Sequence, residues 1–256
     1  MHAGRHWTSW WAFKSAATLL GLAILAGAVG ALYQAVGAHL DARRSPEPGR
    51  LVGIGGYGLH LNCSGTGSPT VVLESGIGDV AVEWALVQPG IAKLSRVCSY
   101  DRAGYGGSDS GPFPRTSRQI ADELHALLHN AGEPAPYVLV GHSFGGYNVR
   151  VFAGEYPEDV AGLILVDSPQ EDEYDLLPAS WQKVGAAQRE HYRRMGEWAP
   201  VLINLGIARW MLRQTASRWD YLILQTKYLR ARASEMEQMR VSAEQARAAD
   251  HISENL

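Results

Sequence analysis

The sequence predicts an α/β protein: a mostly parallel sheet behind an N-terminal transmembrane helix, with a helical cap after the sheet. Three observations predict it. Short all-apolar runs alternate with amphipathic helical patterns between residues 51 and 170, the signature of parallel strands joined by helices. Ser15 to Ala38, 24 residues, contains no Asp, Glu, Lys, Arg or His. After Asp167 no further apolar run is bounded by turn residues, and the remainder reads as helix.

The elements follow in order. As a helix the uncharged stretch would span about 36 Å, enough for a hydrocarbon layer of roughly 30 Å. Trp7, Trp10 and Trp11 precede it, where an interfacial aromatic belt would sit. Val36-Gly37-Ala38 would also serve as a signal-peptide cleavage site, but the apolar region exceeds the ~7–15 residues of a signal peptide, so a retained anchor is favoured. Arg5 and Lys14 lie upstream and Arg43, Arg44 and Arg50 downstream, so flanking charge gives no clear orientation. The reading is an anchor or signal segment over 1–40, a linker over 41–50, a core over 51–170 and a cap over 171–256. In the linker, two prolines and a glycine among charges oppose helix and central strand.

Leu51–Gly56 and Tyr57–Cys63 read as a strand pair turned by Gly55-Gly56. Gly53-Ile54-Gly55-Gly56-Tyr57-Gly58 matches a dinucleotide fingerprint in letters only, because a strand and not a helix follows it. Thr70–Leu73 is a buried strand, followed by the loop Glu74-Ser75-Gly76-Ile77-Gly78, a helix over Val80–Leu94 and a strand over Arg96–Tyr100. Thr116–Ala131 is the clearest helix. Thr116 and Gln119 fit a capping box, Ile120, Leu124, Leu127 and Leu128 form one stripe, and Gly132 stops it. Tyr137–Val140 and Ala161–Val166 are buried strands on either side of a helix that Pro157 closes. Helices over Trp181–Glu197, Pro200–Arg213 and from Trp219 to about Ala249 make the cap.

Between strand and helix stands Gly141-His142-Ser143-Phe144-Gly145-Gly146, the setting in which Gly-x-Ser-x-Gly exposes a serine nucleophile on a sharp turn. Together with the glycine loop at Ser75–Gly78 and with Asp101-Arg102-Ala103-Gly104-Tyr105-Gly106-Gly107-Ser108, in that order, it makes the chain resemble the α/β-hydrolase-fold serine hydrolases of esterase/lipase type, over about Leu51–Pro169. The resemblance implies that Ser143 attacks an acyl carbonyl. The backbone N–H of Phe144 and that of Ile77 would then receive the charge that develops on its oxygen. Ser75-Gly76 stands where lipase-like relatives often carry His-Gly, which leaves Gly76 as the alternative second donor. Relatives that open epoxides or remove halides use a carboxylate at the nucleophile position, so serine points to a small-molecule ester, thioester, amide or lactone. The Asp101 turn is a loop-fixing element in such proteins.

The order in this fold is nucleophile, acid, histidine. Asp167 follows the sixth strand, where some lipases place the acid, with Glu171 a weaker rival. No later segment resembles a strand followed by Asp, or a strand followed by Gly-x-x-His. His251 lies in a charged terminal segment, and His142 should point away from the attacking oxygen because side chains alternate along a strand. His125 and His129, four apart on a helix, lack the Glu and third ligand of a zinc motif. The expectation is therefore a C-terminally truncated form of a longer hydrolase, or alternatively a catalytically incomplete, hydrolase-derived membrane protein with a binding role. No cofactor or metal is implied. A net charge of −3 gives no electrostatic case for nucleic acid. The fold implied by the resemblance makes the strands of Cys63 and Cys98 neighbours, so a disulfide and an extracytoplasmic domain are expected.

Overall fold

The computed structural model describes residues 5–44, 48–213, 222 and 224–249. Helix α1 (Arg5–Arg44) runs through the uncharged stretch and four residues past the expected anchor boundary. A 32-residue part, Trp10–Asp41, is long and apolar enough to cross a membrane. Strands β1 (Arg50–Gly53), β2 (Gly58–Ser64), β3 (Thr70–Glu74), β4 (Val97–Tyr100), β5 (Tyr137–His142) and β6 (Val160–Val166) form one sheet in the order β1-β2-β4-β3-β5-β6. β1 and β2 pair antiparallel, as do β2 and β4, whereas β4, β3, β5 and β6 run parallel. The formal dinucleotide motif is the β1–β2 hairpin, in which Gly55 and Gly56 take φ of +97° and +108°. Among the described residues no strand follows β6, and Ile164, Leu165 and Val166 on it are exposed.

Alternation along β3 divides the core. Val72 packs with Leu59, Leu61, Cys98 and Leu139 beneath helices α3 (Ser117–Ala131) and α4 (Gly145–Glu155). Leu73, with Val97 and Val140, faces the other side, against Trp84 and Ile91. α3 begins and ends as its sequence dictates. The Thr116 hydroxyl accepts a bond from the Gln119 N–H at 3.3 Å, and Gly132 takes the left-handed conformation at φ +74°. Thr116→Ala should destabilise the fold by about 1 kcal/mol, the usual cost of a lost N-cap, read as a lower urea midpoint with unchanged slope.

Three helices differ from expectation. The Val80–Leu94 helix is a 3₁₀ turn (Ala81–Leu86) followed by the short α2 (Gln88–Ile91), because Pro89 has no N–H to continue the first and is suited to begin the second. The break expected before Pro200 is absent. After the short α5 (Glu173–Leu176), helix α6 runs unbroken from Ala179 to Asn204, with Ala199, Pro200 and Ile203 buried where the proline would otherwise weaken it. The chain turns instead at Gly206, φ +69°, into α7 (Ile207–Leu212). The last helix is two, α8 (Thr226–Glu237) and α9 (Met239–Ala248), and Trp219 lies outside the described residues. Ala243 and Ala246 of α9 enter the main core. The Ser117 and Arg118 N–H groups donate to Ser242 and Gln245, at 3.0 and 2.9 Å. The last of the expected cap helices is thus part of the core.

Candidate active site

Ser143 stands at the turn from β5 into α4 with φ +49°, a left-handed conformation that costs a non-glycine residue energy and is held by its surroundings. Its N–H donates to the Val166 carbonyl (3.0 Å) and its carbonyl accepts from Gly146 (2.8 Å). The flanking glycines are required by close approach. A Cβ on Gly141 would sit 2.7 Å from the Gly145 carbonyl oxygen, and one on Gly145 2.6 Å from that of Glu74. The β3 loop lies alongside, since a Cβ on Gly76 would be 3.3 Å from that of Ser143. The backbone N–H groups of Ile77 and Phe144 donate to no carbonyl among the described residues. Asp167 directly follows β6, whose Val166 pairs with His142, so the chain at Asp167 runs beside the serine turn. Asp167 is exposed and shares the left-handed backbone, φ +47°.

The other candidates lie elsewhere. His142 turns its Nδ1 toward Asp79 (3.5 Å) and its ring edge toward Trp84. His125 stacks on Tyr156 and faces Asp159, and His129 contacts Asn130. Glu171 pairs with Arg150. His251 is outside the described residues. Asp101 is buried and clamps a loop, accepting from the N–H groups of Ala81 (2.7 Å) and Gly107 (3.0 Å) and facing His60 at 3.2 Å. Burial alone would raise its pKa, but His60 and these two N–H groups together hold it below the ordinary carboxylate range.

One element of the site escaped the sequence reading. Arg102 is fully buried and fixes the loop beside Ser143. Its Nη1 donates to the Ser75 carbonyl (2.6 Å) and its Nη2 to that of Gly76 (2.8 Å). The same guanidinium pairs with Glu74 at the end of β3 (2.8 Å) and, through two bonds of 2.9 Å, with Glu235 of α8. Glu74 also accepts from Tyr100 and from Asn148 (2.8 Å). Complete burial pushes the Glu74 carboxyl above its usual range against the pull of Arg102 and these donors. Burial works against the Arg102 charge, yet Glu235 and Glu74 hold its pKa well above the ordinary value. Trp84 pins the loop from the other side by donating to the Ser75 hydroxyl at 2.8 Å, and Tyr228 of α8 donates to the Gly78 carbonyl at 2.8 Å. The only signal in the sequence was charge at apolar depth: Glu74 closing a buried strand, and Arg102 following one.

The chain is similar to several known proteins. The probable transporter efuK of Hormonema carpetanum is 35% identical over 136 residues, 50% of this chain and 20% of that protein. An uncharacterized vacuolar membrane protein of Saccharomyces cerevisiae is 31% identical over 134 residues, 45% of this chain and 21% of that one. A thermophilic esterase from Thermogutta terrifontis superposes with a TM-score of 0.53 at 25% identity, covering 70% of this chain and 67% of the esterase. The chain spans between 20% and 55% of the length of the curated relatives it matches. The strand order and the strained serine turn agree with a match of residues 69–222 to the α/β hydrolase fold family, and the chain belongs to that family.

Proposed function

We propose that the chain is the nucleophile-bearing part of a membrane-anchored serine hydrolase that transfers the acyl group of a carboxylic ester or related small molecule. The observation that carries this reading is Ser143, at φ +49° between β5 and α4 with the Gly76 loop alongside. Ser143 is the nucleophile, and the N–H groups of Phe144 and Ile77 donate hydrogen bonds to the oxyanion of the tetrahedral intermediate. Asp167 is positioned one strand away to orient a base. A serine alone is a weak nucleophile and needs a base; among the described residues the ion pairs of histidine join His60 to Asp101, His125 to Asp159 and His142 to Asp79. Helix α1 anchors the protein, and the Cys63–Cys98 disulfide supports an oxidising, extracytoplasmic side for the sheet.

A fluorophosphonate probe tests the reading. The protein should label and Ser143→Ala should not. The second reading, a hydrolase-derived membrane protein that binds without turnover, is favoured by His142, whose Nδ1 faces Asp79. Folded protein that does not label at Ser143 would support it.

A further inference from the structure

The α6–α7 corner presents an apolar surface outside α1. Residues 198–212 carry one charged side chain, Arg209. Trp198, Leu202, Ile207, Trp210 and Met211 are exposed, Trp198 to 71% and Met211 to 65%. An apolar set of this size, open to solvent, marks an interaction site.

The corner is docked on α1 at a defined height. A Cβ on Gly30 would sit 2.1 Å from the Leu205 carbonyl oxygen, and one on Gly206 2.4 Å from that of Gly30, so the two backbones touch. Gly27 lies one turn earlier, with Leu205 Cδ2 3.5 Å from where its Cβ would be. Gly27 and Gly30 fall inside the uncharged Ser15–Ala38 stretch. Gly30 is eleven residues before Asp41, about 16 Å along the helix axis. Leu205 and Gly206 therefore lie at the level of α1's apolar span, and Arg209 of α7 reaches on toward its charged end.

The charges mark the border of that level. Arg209 donates to Gln34 (2.9 Å) and to Asp41 (2.5 Å), both on α1, so the one cation of the corner is neutralised where burial would otherwise cost several kcal/mol. Upstream, the exposed ion pairs of Glu190, Arg193, Arg194 and Glu197 end one residue before Trp198. Downstream, Arg213 lies over the Trp210 ring at 4.5 Å, the pairing of a cation and an aromatic that suits an interface.

We propose that the α6–α7 corner is embedded in the bilayer that α1 crosses, so that lipid covers the apolar face of the cap. The proposal rests on α1 spanning the membrane, and its test separates the two. Both native cysteines are joined in a disulfide, so single added thiols can carry an NBD fluorophore. Leu25→Cys reports α1, Met211→Cys the corner, and Lys183→Cys the exposed early part of α6. The full chain is reconstituted into phosphatidylcholine vesicles with or without doxyl-labelled lipid, or with aqueous iodide. Lipid-borne quencher should remove most of the fluorescence at Leu25 and Met211 and little at Lys183, with iodide giving the reverse. Iodide quenching at Met211 while Leu25 stays lipid-quenched would overturn the embedded corner and leave the anchor standing. Protection of Met211 from both quenchers would overturn it in favour of a protein partner or a second copy. Leu25 open to iodide would remove the anchor, and the proposal with it.

Discussion

Arg102→Met should cost the fold at least about 3–5 kcal/mol, the range for removing one partner of a buried ion pair. Methionine replaces the apolar stem of the side chain but leaves Glu74 and Glu235 facing each other without a cation, and leaves the Ser75 and Gly76 carbonyls without their donors. The variant should also acquire a pH dependence of a definite sign. Burial already raises the Glu74 carboxyl with Arg102 present, and loss of the guanidinium raises it further. A native state that keeps a proton which the unfolded chain releases is favoured at low pH. The variant should therefore recover stability below the ordinary carboxylate pKa and lose it as pH rises through the raised one. Urea midpoints at acidic and neutral pH, beside those of the parent protein, check both effects. A variant as stable as the parent at neutral pH would show that the cluster contributes nothing to stability.

Replacing Cys63 and Cys98 together by serine should cost about 4 kcal/mol, the loop-entropy value for residues 35 apart in sequence. The two residues are directly opposite in the β2–β4 register, with Cα atoms 4.1 Å apart. The bridge thus ties the antiparallel flank of the sheet to the parallel centre. Thiol titration of native, unreduced protein should find none free. Two free thiols would remove the support for an oxidising compartment. Urea unfolding with and without reductant measures the stabilisation directly.

What could be read from the residues beforehand is what depends on neighbours in sequence. The Thr116 cap, the Gly132 stop and the serine turn all rest on backbone geometry a few residues long, and each stands where the pattern puts it. Three features were illegible for the same reason: their partners are remote. Glu235 reads as one more charge on a polar helix, yet it pairs with Arg102, 133 positions away. Ala243 and Ala246 give no strong apolar stripe, because small residues are chosen there for close packing on α3 and α4. Pro200 reads as a helix stop, but buried contacts through Ala199 and Ile203 carry α6 past it. The roles of Ile77, Phe144 and Asp167 depend on a substrate and a base that the sequence does not name, and they are tested only by chemistry at Ser143.

The shared guanidinium has a mechanical consequence. Arg102 holds the end of a central strand in one fork and helix α8 in the other, at a depth water does not reach. Lifting α8 would drag an ion out of its cage, and Tyr105 and Tyr228 would lose their bonds to Glu235 and Gly78 in the same movement. Helix α8 is therefore tied to the end of β3 and moves only with it.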